Sequence, residues 1–378
     1  MFYRNARVFA ADQRFHHGAF AVENGVFTQV LPREVPADAV DLQGATVIPG
    51  LIDVHTHGNS QADFSDGDPA GLAAMAAFLA KKGITSFLPT SMTLPYAQLE
   101  AAFHTARGMM DAPLPGQARV LGVHMEGPYF SPEKKGAQNA AWLRLPNAEG
   151  FAALDDACGN VVRIVDVAPE LPGAQEFIRA AKARCTVSVA HTAANYAAAA
   201  AGFDAGATHV THLYNAMPPL HHRDPGVIGA AVERPHVRAE LICDGLHVHE
   251  SAVRLAFAAF GPERMVLISD SGRCCGMAEG SSFTLGGQTA FLRGGAGRLP
   301  DGTIACSATD LFSCMRKAVS FGISQEAAIR AASYNPARAI GMERSVGSIA
   351  PGLAADFVIC DDDLNPLRVF LGGEEVLP

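Results

Sequence analysis

The sequence predicts an α/β protein: a (β/α)8 TIM-like barrel carrying a small β-sandwich domain formed by both termini. Three observations carry this expectation. From Val47 to Asp270, short β-rich runs alternate with alanine-rich stretches of helical character. The β-rich runs are continuously apolar, as strands are when helices cover both faces of a parallel sheet. Eight of them recur, roughly one every thirty residues, and that spacing fits a closed barrel better than an open sheet.

Residues 1–46 hold short alternating runs such as "AFAVENGVFTQV", punctuated by Gly25 and Gly44, and no amphipathic helix. The expected barrel strands are 47–52 (VIPGLI), 84–88 (ITSFL), 118–124 (ARVLGVH) and 161–168 (VVRIVDVA). They continue with 185–190 (CTVSVA), 207–211 (ATHVT), 238–243 (RAELIC) and 265–270 (MVLISD). Helices are expected between them over 69–82, 96–109, 173–184, 194–205 and 250–260. The Gly-rich stretch 276–305 reads as a hairpin excursion after the last strand, and helices over 308–321 and 324–334 close the barrel. Residues 345–378 repeat the texture of the N-terminus. One small β domain is therefore expected from 1–46 together with 345–378, beside a barrel spanning 47–344.

With 378 residues, 49% apolar and 18% charged, the chain has a globular composition and room for a large core. The formal net charge of −9 argues against nucleic acid as a partner and gives no reason to expect an anionic membrane surface. No apolar run reaches the length of a membrane span, and "MFYRNARVFAADQRF" has no signal-peptide pattern, so a cytoplasmic location is expected. The eight cysteines show no CxxC or zinc-finger spacing. Cys185, Cys243 and Cys314 read as small core residues, and the pair Cys274–Cys275 as structural rather than redox-active.

The chemistry concentrates where strands end. In "VIPGLIDVHTHG", His55 and His57 are two apart, so on an extended strand both aim at one spot. The third strand ends in "GVHMEGP", giving Glu126, the fifth in "SVAHT", giving His191, and the sixth in "VTHLYNAMPP", giving His212. The seventh runs into "CDGLHVH", with Asp244, His247 and His249, and the eighth ends in "LISDS", giving Asp270. Each has an ordinary alternative taken alone: Glu126 as a salt-bridge partner, Asp270 as a helix cap, and His124, His209 and His249 as histidines satisfying turns. Six of eight strands capped by such groups is the pattern of a barrel whose reactive residues gather at the C-terminal ends. His55, His57, Glu126, His191, His212 and Asp270 form a nitrogen-rich set with carboxylates, suited to zinc or a similar divalent transition metal rather than magnesium or calcium.

These motifs resemble the amidohydrolase superfamily and, within it, the N-acetylglucosamine-6-phosphate deacetylase branch. The matching pieces include "PGLIDVHTHG", "GVHMEGPYFSPEKKGA", "THVTHLYNAMPPLHHRDPGVIGA", "CDGLHVH", "LISDS" and "GSIAPGLAADFVI", and they cover nearly the whole chain. "HMEGP", "HLYNAM" and "RDPG" are specific to the deacetylase branch, whereas HxH marks only the superfamily. The resemblance implies that Glu126, His191 and His212 hold one metal ion and that His55, His57, Glu126 and Asp270 can hold a second. Zn2+ is the expected ion, with Fe2+, Mn2+ and Co2+ as alternatives. It implies Asp270 as general base and acid, His247 as the group polarising the acetyl carbonyl, and Asn215, Ala216 and Arg223 as phosphate contacts. By the same pattern the enzyme is a homodimer, with the arginine serving the neighbouring subunit's site.

Two departures bear on the substrate. Gln138 stands where the branch has a sugar-contacting histidine, and "SGRCCGMAEG" places Arg273, Cys274 and Cys275 after the catalytic aspartate, near the expected rim of the site. The expected function is metal-dependent deacetylation of N-acetyl-D-glucosamine 6-phosphate. The alternatives are a related N-acyl amino sugar phosphate, such as N-acetylgalactosamine 6-phosphate, another amidohydrolase activity such as that of a D-aminoacylase or cyclic-imide hydrolase, or an inactive scaffold.

Overall fold

Eight parallel strands form a closed ring in the computed structural model, which describes residues 1–376. They are Leu51–Thr56, Ile84–Ser91, a third in two pieces (Arg119–Val120 and Val123–Met125), Val162–Val167, Thr186–Val189, His209–Val210, Arg238–Ile242 and Met265–Ile268. The ring closes from the eighth strand to the first. There the Asp270 N–H donates to the His55 carbonyl at 2.9 Å and the His57 N–H to the Ser271 carbonyl at 2.8 Å. Asp53 reinforces this seam, its Oδ1 accepting from the Ser269 N–H at 3.3 Å. The strands are apolar because they are covered twice. Leu51, Ile84, Val165, Val189 and Leu267 belong to the large core that includes the helices, while Ile52, Leu88, Ile164, Ile242 and Ile268 belong to a separate buried cluster with Ile340 and Val346.

The first apolar run divides at Gly50 instead of forming one strand over 47–52. Thr46–Pro49 pairs with Phe2–Phe9 and Phe357–Cys360 in the terminal sheet, and Leu51–Thr56 enters the barrel. Only glycine fits at the junction, since a Cβ there would lie 2.2 Å from Thr85 Oγ1. In consequence His55 lies inside the first barrel strand and His57 immediately after it. The terminal sheet has eight strands from both chain ends, among them Phe15–Glu23, Val26–Val30 and Pro366–Leu371. It is one continuous sheet curled on itself, the Phe27 N–H reaching the Leu353 carbonyl and the Ala355 N–H the Gly25 carbonyl, both at 2.9 Å. Its two inner faces enclose Tyr3, Phe20, Phe27, Phe357 and Phe370, with Phe357 stacked on Phe370 at 4.3 Å.

The expected helices are present as Pro69–Lys81, Tyr96–Asp111, Ala174–Ala181, Tyr196–Ala205, Glu250–Phe260 and Leu311–Ser320. The stretch 324–334 breaks at Ser333 into Gln325–Ala332 and the start of Tyr334–Ala339. Two more, Ala148–Ala157 and Gly226–Val232, lack a clear sequence signal, because glycine and aspartate dilute the first and the second spans only 7 residues. The Gly-rich excursion is a four-stranded antiparallel sheet over Ser282–Leu285, Gln288–Arg293, Ala296–Arg298 and Ile304–Ser307. Its last strand is tied to the barrel where the Ser307 N–H donates to the Asp270 carbonyl at 2.8 Å. Among the described residues, no helix is long and apolar enough to cross a membrane.

Candidate metal centre and active site

Glu126, 2% exposed and immediately after the third strand, is the centre on which four histidines converge. Its Oε1 lies 3.1 Å from His212 Nε2, 3.2 Å from His191 Nε2 and 3.6 Å from His55 Nε2. Its Oε2 lies 3.4 Å from His57 Nε2. Asp270 faces the same space, its Oδ1 3.5 Å from His55 Nε2 and 3.4 Å from His57 Nε2. All six proposed metal residues therefore meet at the C-terminal end of the barrel.

The backbone aims them in two ways. His55 and His57 use the two-residue repeat of an extended strand. His191, His212 and Asp270 instead have φ of +43°, +30° and +48°, a left-handed conformation that turns the chain sharply as each strand ends. For residues with a Cβ this costs about 1–3 kcal/mol each, and the surrounding packing has to sustain it.

The hydrogen bonds behind the rings select what they present. His57 Nδ1–H donates to the Thr90 carbonyl at 3.1 Å, His191 Nδ1–H to the Lys134 carbonyl at 2.8 Å, and His55 Nδ1–H to Glu240 Oε2 at 2.9 Å. These partners only accept, so each neutral ring turns the lone pair of Nε2 toward Glu126. The Nε2 atoms of His191 and His212 are 3.1 Å apart, and His55 Nε2 is buried with no hydrogen-bond partner. Lone pairs crowded against one another and a carboxylate are repulsive unless a cation or protons lie between them. The donor set thus fits a divalent metal, with His55, His57 and Glu126 as one buried group and Glu126, His191 and His212 as another. The same crowding holds protons when no cation is present. Burial disfavours charge on His57 and His212, but Asp270 beside the first and Glu126 beside both push each up to about 9. Burial likewise opposes ionisation of Glu126 and Asp270. The histidines outweigh it, holding Glu126 well below its usual range and lowering Asp270.

A deeper layer escaped the sequence reading. His124 and His209 are not turn residues but lie fully buried inside the ring. His124 donates from Nδ1 to the Val54 carbonyl at 2.9 Å and from Nε2 to Asp166 Oδ1 at 3.0 Å. Burial disfavours its charge, yet Asp166 pushes it up to about 10. Both nitrogens donate, so His124 has no lone pair for a metal, although it stands beside His55 and Glu240. His209 donates to Glu240 Oε1 at 3.2 Å. The signal that could have found this layer is a charge inside an apolar strand: Asp53 in "LIDVH", Asp166 in "RIVDVA" and Glu240 in "RAELIC". His249 does behave as expected, capping Glu250–Phe260.

Above the carboxylates lies a cavity of about 250 Å3, lined by Gln138, Asn215, Ala216 and His247 together with five of the six metal-facing residues, His55 being buried behind them. His247 Nδ1 is 2.7 Å from Asp244 Oδ2, whose Oδ1 also accepts from the Leu246 and His247 N–H groups at 2.8 and 2.9 Å. Gln138 Nε2 donates to Glu126 Oε2 at 2.7 Å and its Oε1 accepts from the Thr93 N–H at 2.8 Å, so much of its amide is already engaged. Met92, Gly136, Ala137 and Thr303–Ala305 complete the wall, the last three supplied by the Gly-rich excursion, which carries no chemical motif to announce them. Arg223 does not line the cavity. It is exposed on its loop, with Nη1 2.9 Å from His222 Nε2. Arg273 is also elsewhere, forked onto Asp66 at 2.7 and 2.9 Å. Cys274 is buried against Cys306, Sγ to Sγ 3.7 Å, and Cys275 is buried too, so none of the three lies on the rim.

An amidohydrolase family model matches residues 46–376. The chain belongs to the amidohydrolase family. This amidohydrolase is 38% identical to the N-acetylglucosamine-6-phosphate deacetylase of Bacillus subtilis (strain 168) over 345 residues, covering 90% of this chain and 85% of that one. It is 34% identical to the N-acetylgalactosamine-6-phosphate deacetylase of Escherichia coli O157:H7, covering 93% of each. Among solved structures, N-acetyl-D-glucosamine-6-phosphate deacetylase from Mycobacterium smegmatis in complex with N-acetyl-D-glucosamine-6-phosphate superposes with a TM-score of 0.93 at 31% identity, covering 100% of this chain and 99% of that one. Membership of the family implies a divalent metal, and the buried histidine and glutamate groups of this amidohydrolase could bind one.

Proposed function

We propose that this amidohydrolase cleaves the acetamide of N-acetyl-D-glucosamine 6-phosphate, giving D-glucosamine 6-phosphate and acetate. One observation supports the reading: in a chain similar along its length to such deacetylases, Glu126 lies between two histidine pairs, and Asp270 and His247 line the cavity beside it. In this reading Glu126, His191 and His212 hold one divalent ion, and His55, His57, Glu126 and Asp270 hold a second. A donor set of imidazoles and carboxylates suits zinc, ahead of iron, manganese or cobalt. When bound, the metal acidifies water and draws electron density from the acetyl carbonyl.

The chain's own groups handle the protons. Asp270 takes a proton from water at a carboxylate oxygen as the water oxygen adds to the carbonyl carbon. It returns that proton to the sugar nitrogen as the C–N bond breaks, so that the leaving group departs as an amine rather than an amide anion. His247 donates from Nε2 to the developing oxyanion. Its Nδ1–H is already given to Asp244, so donating from Nε2 requires both ring protons, and the Asp244 carboxylate 2.7 Å away offsets the resulting charge. Asn215 and the backbone of Ala216 contact the phosphate, and Gln138 faces the sugar. Because Arg223 is exposed and outside its own cavity, we assign it to the phosphate in the neighbouring site of a homodimer.

Acetate release from N-acetylglucosamine 6-phosphate, N-acetylgalactosamine 6-phosphate and unphosphorylated N-acetylglucosamine tests the reading. The first should turn over with the highest kcat/KM. Faster turnover of the galactosamine ester would support the second reading, favoured by Gln138 and by the E. coli relative. Equal kcat/KM with and without phosphate would remove Arg223 from the mechanism.

A further inference from the structure

One buried carboxylate outside the cavity touches both histidine pairs. Glu240, fully buried on the seventh strand, accepts from His55 Nδ1 at 2.9 Å through Oε2. The same oxygen accepts from the His212 backbone N–H at 3.2 Å, and Oε1 accepts from His209 Nε2 at 3.2 Å. On its far side the His55 ring presents Nε2, which is buried and unpartnered, 3.6 Å from Glu126 Oε1 and 3.5 Å from Asp270 Oδ1. We infer that Glu240 is the positioning residue that allows this chain to take a second divalent ion at His55 and His57. The inference rests on the two-ion reading given above.

The reasoning is a competition for one ring proton. A neutral imidazole carries its proton on Nδ1 or on Nε2. Glu240 can only accept, so it keeps the proton on Nδ1 and leaves the Nε2 lone pair aimed between Glu126 and Asp270. Without an acceptor at position 240, the proton has better partners on the other side, where two carboxylates stand ready to receive an Nε2–H. His55 would then hydrogen-bond into the site and offer no lone pair there. The opposite group depends on it less: His191 is fixed by the Lys134 carbonyl at 2.8 Å, and Glu240 touches His212 only through its backbone N–H, leaving that ring's Nε2 free of it. Outer partners of ligating histidines commonly change metal affinity about 10–100-fold.

The test is an ion count on metal-stripped protein reconstituted with Zn2+ and desalted, read by mass spectrometry, with a Co2+ titration followed by visible absorption. Wild type should bind two ions per chain. Glu240→Leu should bind one and keep the Co2+ spectrum of the Glu126–His191–His212 site. Glu240→Gln, whose carbonyl oxygen can still accept Nδ1–H, should bind two, with the second about 10–100-fold weaker. Should Glu240→Leu fail to fold, the second-ion affinity of Glu240→Gln decides, expected to lie about 10–100-fold below that of wild type. Two ions at wild-type affinity in Glu240→Leu, or an unchanged second-ion affinity in Glu240→Gln, would overturn the inference. A wild-type count of one would overturn it while leaving standing the proposed deacetylation with one ion at Glu126, His191 and His212, and a count of zero would sink both.

Discussion

The two histidine pairs flank one carboxylate but are held by different physics. His55 and His57 come from a single extended strand, and their Nε2 atoms stand 3.4–3.6 Å from Glu126 and Asp270. His191 and His212 come from two strands, each at a strained left-handed turn, and approach Glu126 to 3.1–3.2 Å. The first pair is a local motif that any extended strand can present. The second exists only where the fifth and sixth strands end side by side. The tighter pair is the more costly to build, and under the proposed function it is the one whose loss does most damage.

The first way to break this contrast is His191→Ala. It should strip the ion from the tighter group and take turnover to background, with the loss visible in a metal count. Asp270→Asn comes next: it keeps an oxygen in place, so metal content should persist while kcat falls about 10²–10⁴-fold, the span expected for a general acid–base. Near wild-type turnover would remove Asp270 from that role. His57→Ala should lose one ion of two and reduce kcat less than either change on the other side of Glu126. If it matches His191→Ala, the two pairs are equivalent and the contrast fails.

Arg223→Ala should act on binding alone. Losing charge-assisted hydrogen bonds worth about 1.5–3 kcal/mol raises KM roughly 10–100-fold with kcat little changed. Mixing Arg223→Ala with Asp270→Asn subunits should restore activity if the arginine serves the partner's site, and no recovery would place it elsewhere. The smallest effect belongs to Arg273→Ala. Its pairing with Asp66 is partly exposed and its contact with buried Asp63 is long at 3.9 Å, so stability should fall by about 1 kcal/mol, with kcat and KM unchanged.

The site residues were legible where chemistry interrupts hydrophobicity. A histidine or acid at the end of an apolar run stands out, and His55, His57, Glu126, His191, His212 and Asp270 were all visible that way. The supporting layer was less so, because Asp53, Asp166 and Glu240 sit inside strands, where one charge looks like noise until its partner is known. Thr303–Ala305 carry no chemical signature, and they line the cavity beside a strand tied to the barrel where the Ser307 N–H donates to the Asp270 carbonyl. Arg273 was misplaced for a related reason. Closeness in sequence to Asp270 says nothing about direction, and the side chain turns away to Asp66.

Sequence alone determined the alternation of buried strands and helices and the identity of the groups at the barrel mouth, and it led to the expectation of one small β domain from the two termini. These are properties of local pattern: hydrophobic period and the residue type that ends each run. Only the tertiary structure decided which nitrogen each histidine turns inward, where the first apolar run breaks, and that Arg223 lies outside its own cavity. Those depend on partners such as Glu240 for His55, 185 residues away in the chain, and no local pattern encodes a contact at that distance.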